Sequence, residues 1–329
     1  MSYQQELYVA ELAVQRATLF TQKVFREKTK GTLSKDDKSP VTKGDFGAQA
    51  LIIQAIRKNF PDDEIVAEEE ATALRGDKPL SNEIWGLLKD IRLADEESEK
   101  VLGGPLQSEE DMLDILDQGK SAGGPKGRIW ALDPIDGTKG FLRGGQYAVC
   151  LGLIVDGDVK VGVIGCPNLP VSDSAPIPVD LENAQQSGEE SGVLFSAILV
   201  SDITQASLCE SVEAAHSAQD DTAAVAKMLG ISGTPVRLDS QAKYCSVARG
   251  SGDIYLRLPT RKDYQEKIWD HAAGDLLVRE AGGMATDIHG NRLNFGKGRT
   301  LADNKGIVAA PKAIHDQLLN AVQKVLKLK

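Results

Sequence analysis

The sequence predicts a layered α/β fold, and three observations predict it. Short apolar runs rich in β-branched residues alternate with segments of helical apolar spacing through both halves of the chain. The 329 residues exceed one typical core, so two domains or one large one are expected, and the division expected is an N-terminal α+β domain over 1–167 and a C-terminal α/β domain over 168–329. Composition, 41% apolar and 26% charged, is that of a globular chain able to fold without disulfides or a structural metal.

Each element follows from local pattern. Leu7, Ala10, Ala13, Val14, Ala17, Phe20 and Val24 recur at helical spacing and predict an opening helix within residues 1–26. Residues 31–43 are polar and broken by Ser39-Pro40, which predicts a mobile loop or hairpin. A second helix over 44–59 presents Phe46, Leu51, Ile52, Ala55 and Ile56, and a short strand over 64–67 leads to Glu68. Residues 71–126 are charged and mostly helical. Their acid clusters at 95–97 and 109–111 fit solvated helix faces better than ligands.

A hairpin is expected from strands over 147–155 and 159–166 around Asp156-Gly157-Asp158. Residues 170–192, rich in Pro, Ser, Asp and Glu, predict a surface loop. The second half predicts strands over 193–200, 236–238 and 307–309, and helices over 204–215, 221–229, 241–248, 270–281 and 313–328. There is no internal repeat.

Bulk properties narrow the function. A net charge of −10 disfavours nucleic acid as a partner, and an anionic substrate would need metal ions to reverse the local sign. No apolar run approaches the roughly 20 residues of a membrane span, and no signal-peptide pattern opens the chain. Cys150, Cys166, Cys209 and Cys245 are scattered without zinc spacing, which favours a reducing compartment. A cytoplasmic location is expected, with the nucleus an open alternative; the sequence leaves the oligomeric state open, a monomer included.

The most informative run is Trp-Ala-Leu-Asp-Pro-Ile-Asp-Gly-Thr, residues 130–138. A buried strand delivers Asp133 and Asp136 onto a turn where Pro134 fixes its own φ and Gly137 is free to adopt φ > 0. Acids suit hard cations, and turn amides suit phosphate oxygens. Three further acids stand out: Asp45 in the first turn of the second helix, Glu68 after its strand, and Asp270 at a helix start in Trp-Asp-His-Ala-Ala-Gly. Taken singly, Asp45 and Asp270 equally fit ordinary helix N-terminal acids, and Glu68 an exposed acid beside Glu69 and Glu70.

Taken together, Gly-Asp-Phe-Gly-Ala-Gln, Val-Ala-Glu-Glu, the 130–138 run and Trp-Asp-His-Ala-Ala-Gly resemble the lithium-sensitive, magnesium-dependent phosphomonoesterases of the inositol monophosphatase superfamily. The resemblance covers nearly the whole chain. It implies a sandwich of alternating helix and sheet layers. It also implies two or three Mg2+ ions held by Glu68, Asp133, Asp136, Asp270 and the Ile135 carbonyl. Asp45 and Thr138 would form the dyad that takes a proton from the attacking water, and the Gly137 and Thr138 amides would cradle the phosphate.

Residues 136–144, 238–245, 255–259 and 264–271 are similar to the bisphosphate nucleotidase branch of that superfamily. That branch implies hydrolysis of 3'-phosphoadenosine 5'-phosphate to AMP and phosphate, with the 5'-phosphosulfate as a second substrate and a place in sulfur assimilation. His216, Ser240, Lys243 and Arg257 match its nucleotide contacts. Three of them have a plainer reading: an exposed helix position for Lys243, a surface strand for Arg257, a solvated helix end for His216.

One departure stands out. The stretch from Cys166-Pro167-Asn168 to Ser201-Asp202 is shorter than the resemblance implies, as if residues were deleted near 198–201. An inositol phosphatase on the same scaffold and a non-catalytic nucleotide sensor are the competing readings. A P-loop is excluded, because Gly290–Gly298 lacks the hydroxyl that should follow its lysine.

Overall fold

Two long amphipathic helices, α1 (Gln4–Arg26) and α2 (Lys43–Asn59), pack on each other and on one face of a four-stranded sheet. The computed structural model describes residues 3–26, 32–34, 40–169, 203–212, 218–261 and 263–328. A small hairpin, β1 (Thr32–Ser34) with β2 (Pro40–Thr42), precedes α2. Thr42 caps that helix: its hydroxyl accepts from the Gly44 N–H, while Asp45 accepts from the Thr42 N–H.

The first sheet runs β3 (Glu64–Ala67), β4 (Arg128–Asp136), β5 (Ala148–Val155), β6 (Asp158–Gly165). β3 is parallel to β4 and the other pairs are antiparallel. Side-chain alternation along β4 sends Trp130 and Leu132 toward α1 and α2, and Ile129 and Ala131 to the opposite face. Four short helices, α3 (Thr72–Gly76), α4 (Lys78–Leu88), α5 (Glu96–Val101) and α6 (Glu109–Leu116), fill the connection from β3 to β4. The six-residue helix α7 (Thr138–Arg143) follows β4.

The second sheet has the order β10 (Gly283–Thr286), β11 (Ile307–Pro311), β9 (Ile254–Arg257), β7 (Leu208–Glu210), β8 (Val236–Arg237). The helices of this half are α8 (Gln219–Leu229), α9 (Ala242–Arg249), α10 (Ala272–Glu280) and α11 (Lys312–Val325). Ile254, Leu256, Val308 and Ala310 face α8 and α11, while Tyr255, Ile307 and Ala309 face α9 and α10. With α9 and α10 between the sheets, the layers run helix, sheet, helix, sheet, helix.

Several expectations change. Among the described residues of the helix expected over 204–215, which end at 212, there is a 3-10 turn, Ile203–Gln205, followed by β7. Asp253 accepts from the Ser207 N–H at 2.7 Å and from its hydroxyl at 2.9 Å, and the Ser207 carbonyl accepts from Ile254, so pairing with β9 overrides local helical spacing. The helix expected at 270 begins at Ala272, after a 3-10 turn over Ile268–Asp270. β10 is a strand that local pattern does not predict: Gly-Met-Ala-Thr has little strand propensity and is strand because β11 pairs with it. The 170–192 loop, the 193–200 strand, the apparent deletion and His216 lie outside the described residues. Among the described residues no helix is long and apolar enough to cross a membrane, and all four cysteines are buried free thiols.

Candidate active site

Parallel register places the first two acids side by side. Ala67 pairs with Leu132, so Glu68 and Asp133 leave neighbouring strands at the same level, and the Glu68 N–H still donates to the Leu132 carbonyl at 3.2 Å. Asp133 continues the Ile129, Ala131 series and points into the middle layer, away from α1 and α2. Pairing with β5 then shifts between Asp133 and Asp136, which brings the second carboxylate round to the same region. The chain turns at Gly137, whose φ is +92°, and a Cβ there would lie 3.2 Å from Ser240 Cβ. Gly137→Ala is therefore expected to cost about 1–2 kcal/mol in left-handed backbone strain. Chemical denaturation measures it, and an unchanged midpoint would show that the turn tolerates a side chain.

Asp270 arrives from the second half because α10 sits unusually close to the first sheet. Gly152 and Gly162 are cross-strand partners, and a Cβ on Gly162 would come within 2.9 Å of the Ala273 carbonyl. The small pair Ala272-Ala273 occupies the groove that the two glycines leave open. This is a packing reason for the Ala-Ala that follows Asp270 and His271.

The result is a cavity of about 460 Å³. Glu68, Asp133, Ile135, Asp136, Gly137, Thr138 and Asp270 line it, with Ser240, Lys243 and Arg257. Carboxylate oxygens of Asp133, Asp136 and Asp270 lie within 4.8 Å of one another. Burial, then the charges of Glu68, Asp136, Asp270 and Asp45, push Asp133 well above the carboxylate range. Burial and Asp270 raise Asp136 to about 7, against Lys243, the Gln241 N–H and Arg257. Burial likewise raises Asp270, with Arg257 and His271 opposing. The leading charges on Asp133 are all negative, and every donor is a hard oxygen, so the residues fit a divalent cation such as Mg2+.

A second acid–histidine group, Glu266, Asp270 and His271, has a different explanation. Glu266 pairs with Arg257 at 2.8 Å and with His271 Nε2 at 3.2 Å, and His271 Nδ1 meets the Tyr244 hydroxyl at 2.8 Å. The chain Tyr244–His271–Glu266 supports the guanidinium of Arg257.

Lys243 is 3% exposed, which rules out the exposed helix reading. Its ammonium sits 5.4 Å from the Tyr255 ring centroid, and burial pulls its pKa down while Asp136 and Asp239 pull it up. Arg257 is on β9 but turned into the cavity rather than to open solvent. Ser240 has φ +73° on the wall facing Gly137.

Asp45 is fully buried behind the wall rather than on it. Its Oδ2 accepts from the Thr42 N–H at 2.7 Å and the Thr42 hydroxyl at 2.6 Å, while the Thr138 hydroxyl donates to the Ile135 carbonyl at 3.2 Å. Sequence reasoning missed Lys139, Asp239, Tyr264, Lys267, Trp269 and Arg299, which also line the cavity. Tyr264, Lys267 and Trp269 fall inside the 264–271 run; Arg299 has no motif that marks it.

A family model described as the inositol monophosphatase family matches residues 2–327. A 3'(2'),5'-bisphosphate nucleotidase of Emericella nidulans is 70% identical over 352 aligned positions, covering 100% of both chains. Those 352 positions exceed the 329 residues here by 23, so this chain lacks residues that relative has. A 3'(2'),5'-bisphosphate nucleotidase of Schizosaccharomyces pombe is 46% identical, covering 99% of this chain and 97% of the relative. Among solved structures, a Thermotoga maritima IMPase superposes with TM-score 0.59 at 20% identity, covering 96% of each chain. The extragenic suppressor protein suhB of Bartonella henselae gives 0.60 at 19%, covering 96% of this chain and 97% of that one. At such identities the structural likeness speaks for the layered fold alone.

Proposed function

Because the chain belongs to the inositol monophosphatase family, we propose that it is a metal-dependent phosphomonoesterase acting on 3'-phosphoadenosine 5'-phosphate, with release of AMP and phosphate. The 5'-phosphosulfate would be a second substrate. One observation carries this reading: a single cavity brings the carboxylates of Glu68, Asp133, Asp136 and Asp270 together with the cations of Lys243 and Arg257. The acids alone would serve any phosphate monoester. Lys243 and Arg257 add charge for a second anionic group, as a point charge and a planar fork respectively. The names of the relatives support the same substrate class.

Glu68, Asp133, Asp136, Asp270 and the Ile135 carbonyl would hold two or three magnesium ions. Bound there, the ions supply positive charge against the phosphate oxygens and Lewis acidity toward water. Thr138 would accept the proton of the attacking water with Asp45 behind it. This requires the Thr138 hydroxyl to turn from the Ile135 carbonyl toward the Asp45 carboxylate, whose Oδ2 can keep its bonds from Thr42. The Gly137 and Thr138 amides would steady the phosphate, while Ser240 and His216 contact the nucleotide. The water oxygen bonds to phosphorus as the bond to the ribose 3' oxygen breaks, with no covalent intermediate.

A phosphate-release assay tests this, run with and without magnesium on the adenosine bisphosphate and on inositol monophosphate. Magnesium-dependent release, faster on the bisphosphate, is expected. A faster inositol reaction would overturn the substrate. Tight nucleotide binding without release would favour the non-catalytic sensor.

A further inference from the structure

Glu68 and Asp270 belong to different sheets' surroundings, so something must set their separation. Arg299 touches the residue before each of them. Its Nη2 donates to the Ala67 carbonyl at 2.8 Å, one residue before Glu68, and its Nη1 to the Ser121 carbonyl at 2.9 Å. Ser121 is itself tied to β3, its N–H donating to the Ile65 carbonyl at 3.0 Å. The guanidinium carbon, Cζ, lies over the Trp269 ring, 4.8 Å from its centroid, one residue before Asp270.

The backbone around Arg299 holds the same segment. The Arg299 carbonyl accepts from Ile268 at 3.3 Å, Leu301 N–H donates to the Glu266 carbonyl at 2.8 Å, and Lys267 bridges to Thr300. The 299–301 strip is thus fixed to the stretch that carries Asp270, and the Arg299 side chain reaches across to the stretch that carries Glu68. Glu68 and Glu70 are the acids whose charge it feels.

We propose that Arg299 is a positioning residue that fixes Glu68 relative to Asp270 and so sets the affinity of the cavity for divalent cations. The proposal rests on the reading that those acids hold metal. Arginine suits the task because its planar fork donates to two carbonyls at once while its face lies on an indole. A lysine keeps the charge but offers neither the fork nor the plane. Residues that orient metal ligands without touching the metal typically change affinity or activity about 10–100-fold when replaced.

The test titrates magnesium into the full chain without substrate, following heat of binding and the unfolding temperature with and without the ion. Four proteins are compared: wild type, Arg299→Lys, Arg299→Gln, and Arg75→Gln. The last removes an exposed arginine that bonds only Glu110, Asp114 and Asp117 among the contacts described. Both Arg299 variants should bind magnesium about 10–100-fold more weakly, with a smaller magnesium-induced rise in unfolding temperature, and Arg75→Gln should match wild type. Arg299→Lys, the milder change, decides the matter should the glutamine variant not fold. An equal drop in unfolding temperature with and without magnesium, at wild-type affinity, would make Arg299 merely structural and overturn the proposal. Failure of the wild type itself to take up magnesium would overturn the metal reading of the cavity and this proposal with it.

Discussion

Asp136→Asn is expected to fold normally and to release phosphate more than about 100-fold more slowly than the parent, beyond the loss typical of a residue that merely supports a metal ligand. The substitution keeps the shape of the side chain and an oxygen able to accept the Gln241 N–H. It removes the negative charge, which the proposed mechanism requires to hold the cation.

Without metal that charge is a burden. Asp136 has a pKa of about 7 in the folded chain against the ordinary 3.8, so the folded state holds this proton more tightly than the unfolded state does. Its contribution to stability is complete below 3.8 and is lost as pH rises through about 7. At pH about 8, metal-free Asp136→Asn should therefore unfold at a higher temperature than wild type, and the gap should close as pH falls toward the ordinary carboxylate range. For the same reason magnesium affinity in the wild type should rise with pH through that window, with proton release on binding. Turnover near the wild-type rate in the variant would show that the turn is structural and not a ligand.

Arg257→Gln is expected to raise KM for the adenosine bisphosphate by roughly 10- to 150-fold, the equivalent of a charged hydrogen bond of about 1.5–3 kcal/mol. Hydrolysis of adenosine 3'-monophosphate, which lacks the second phosphate, should change little. The variant will also be less stable. Burial pushes Glu266 up, and Arg257 and His271 together hold it below its ordinary value, so losing Arg257 leaves a buried acid with one partner fewer. Adding Glu266→Gln should restore stability without restoring KM, which separates the packing role of the pair from recognition. Equal losses on both substrates would place Arg257 at the scissile phosphate instead.

Much of the fold was legible because its signals are local. The long apolar faces of α1, α2 and α11, the Asp156-Gly157 hairpin and the buried run before Asp133 all lie where periodicity and turn chemistry put them. The strands of the second sheet were harder. β7 and β8 span three and two residues, and β10 is Gly-Met-Ala-Thr; such segments become strand only when a neighbour supplies hydrogen bonds. The acid stations were visible in sequence as motifs, and Glu68, Asp133, Asp136 and Asp270 do share one cavity. Asp45 shows what a motif leaves out: it is present and buried, yet its carboxylate caps its own helix through Thr42.

The sequence by itself determined which chemical groups this protein has to work with: hard oxygen donors on tight turns, one threonine beside them, and cations further along the chain. Tertiary structure alone decided how those groups act on one another. Parallel pairing of β3 with β4 set Glu68 beside Asp133, and the Gly152–Gly162 groove let α10 bring in Asp270. The physical reason is distance and burial. Repulsion among carboxylates, the lifted pKa of Asp136 and the reach of Arg299 from one sheet's edge to the other's turn exist only when residues remote in sequence are packed together away from water.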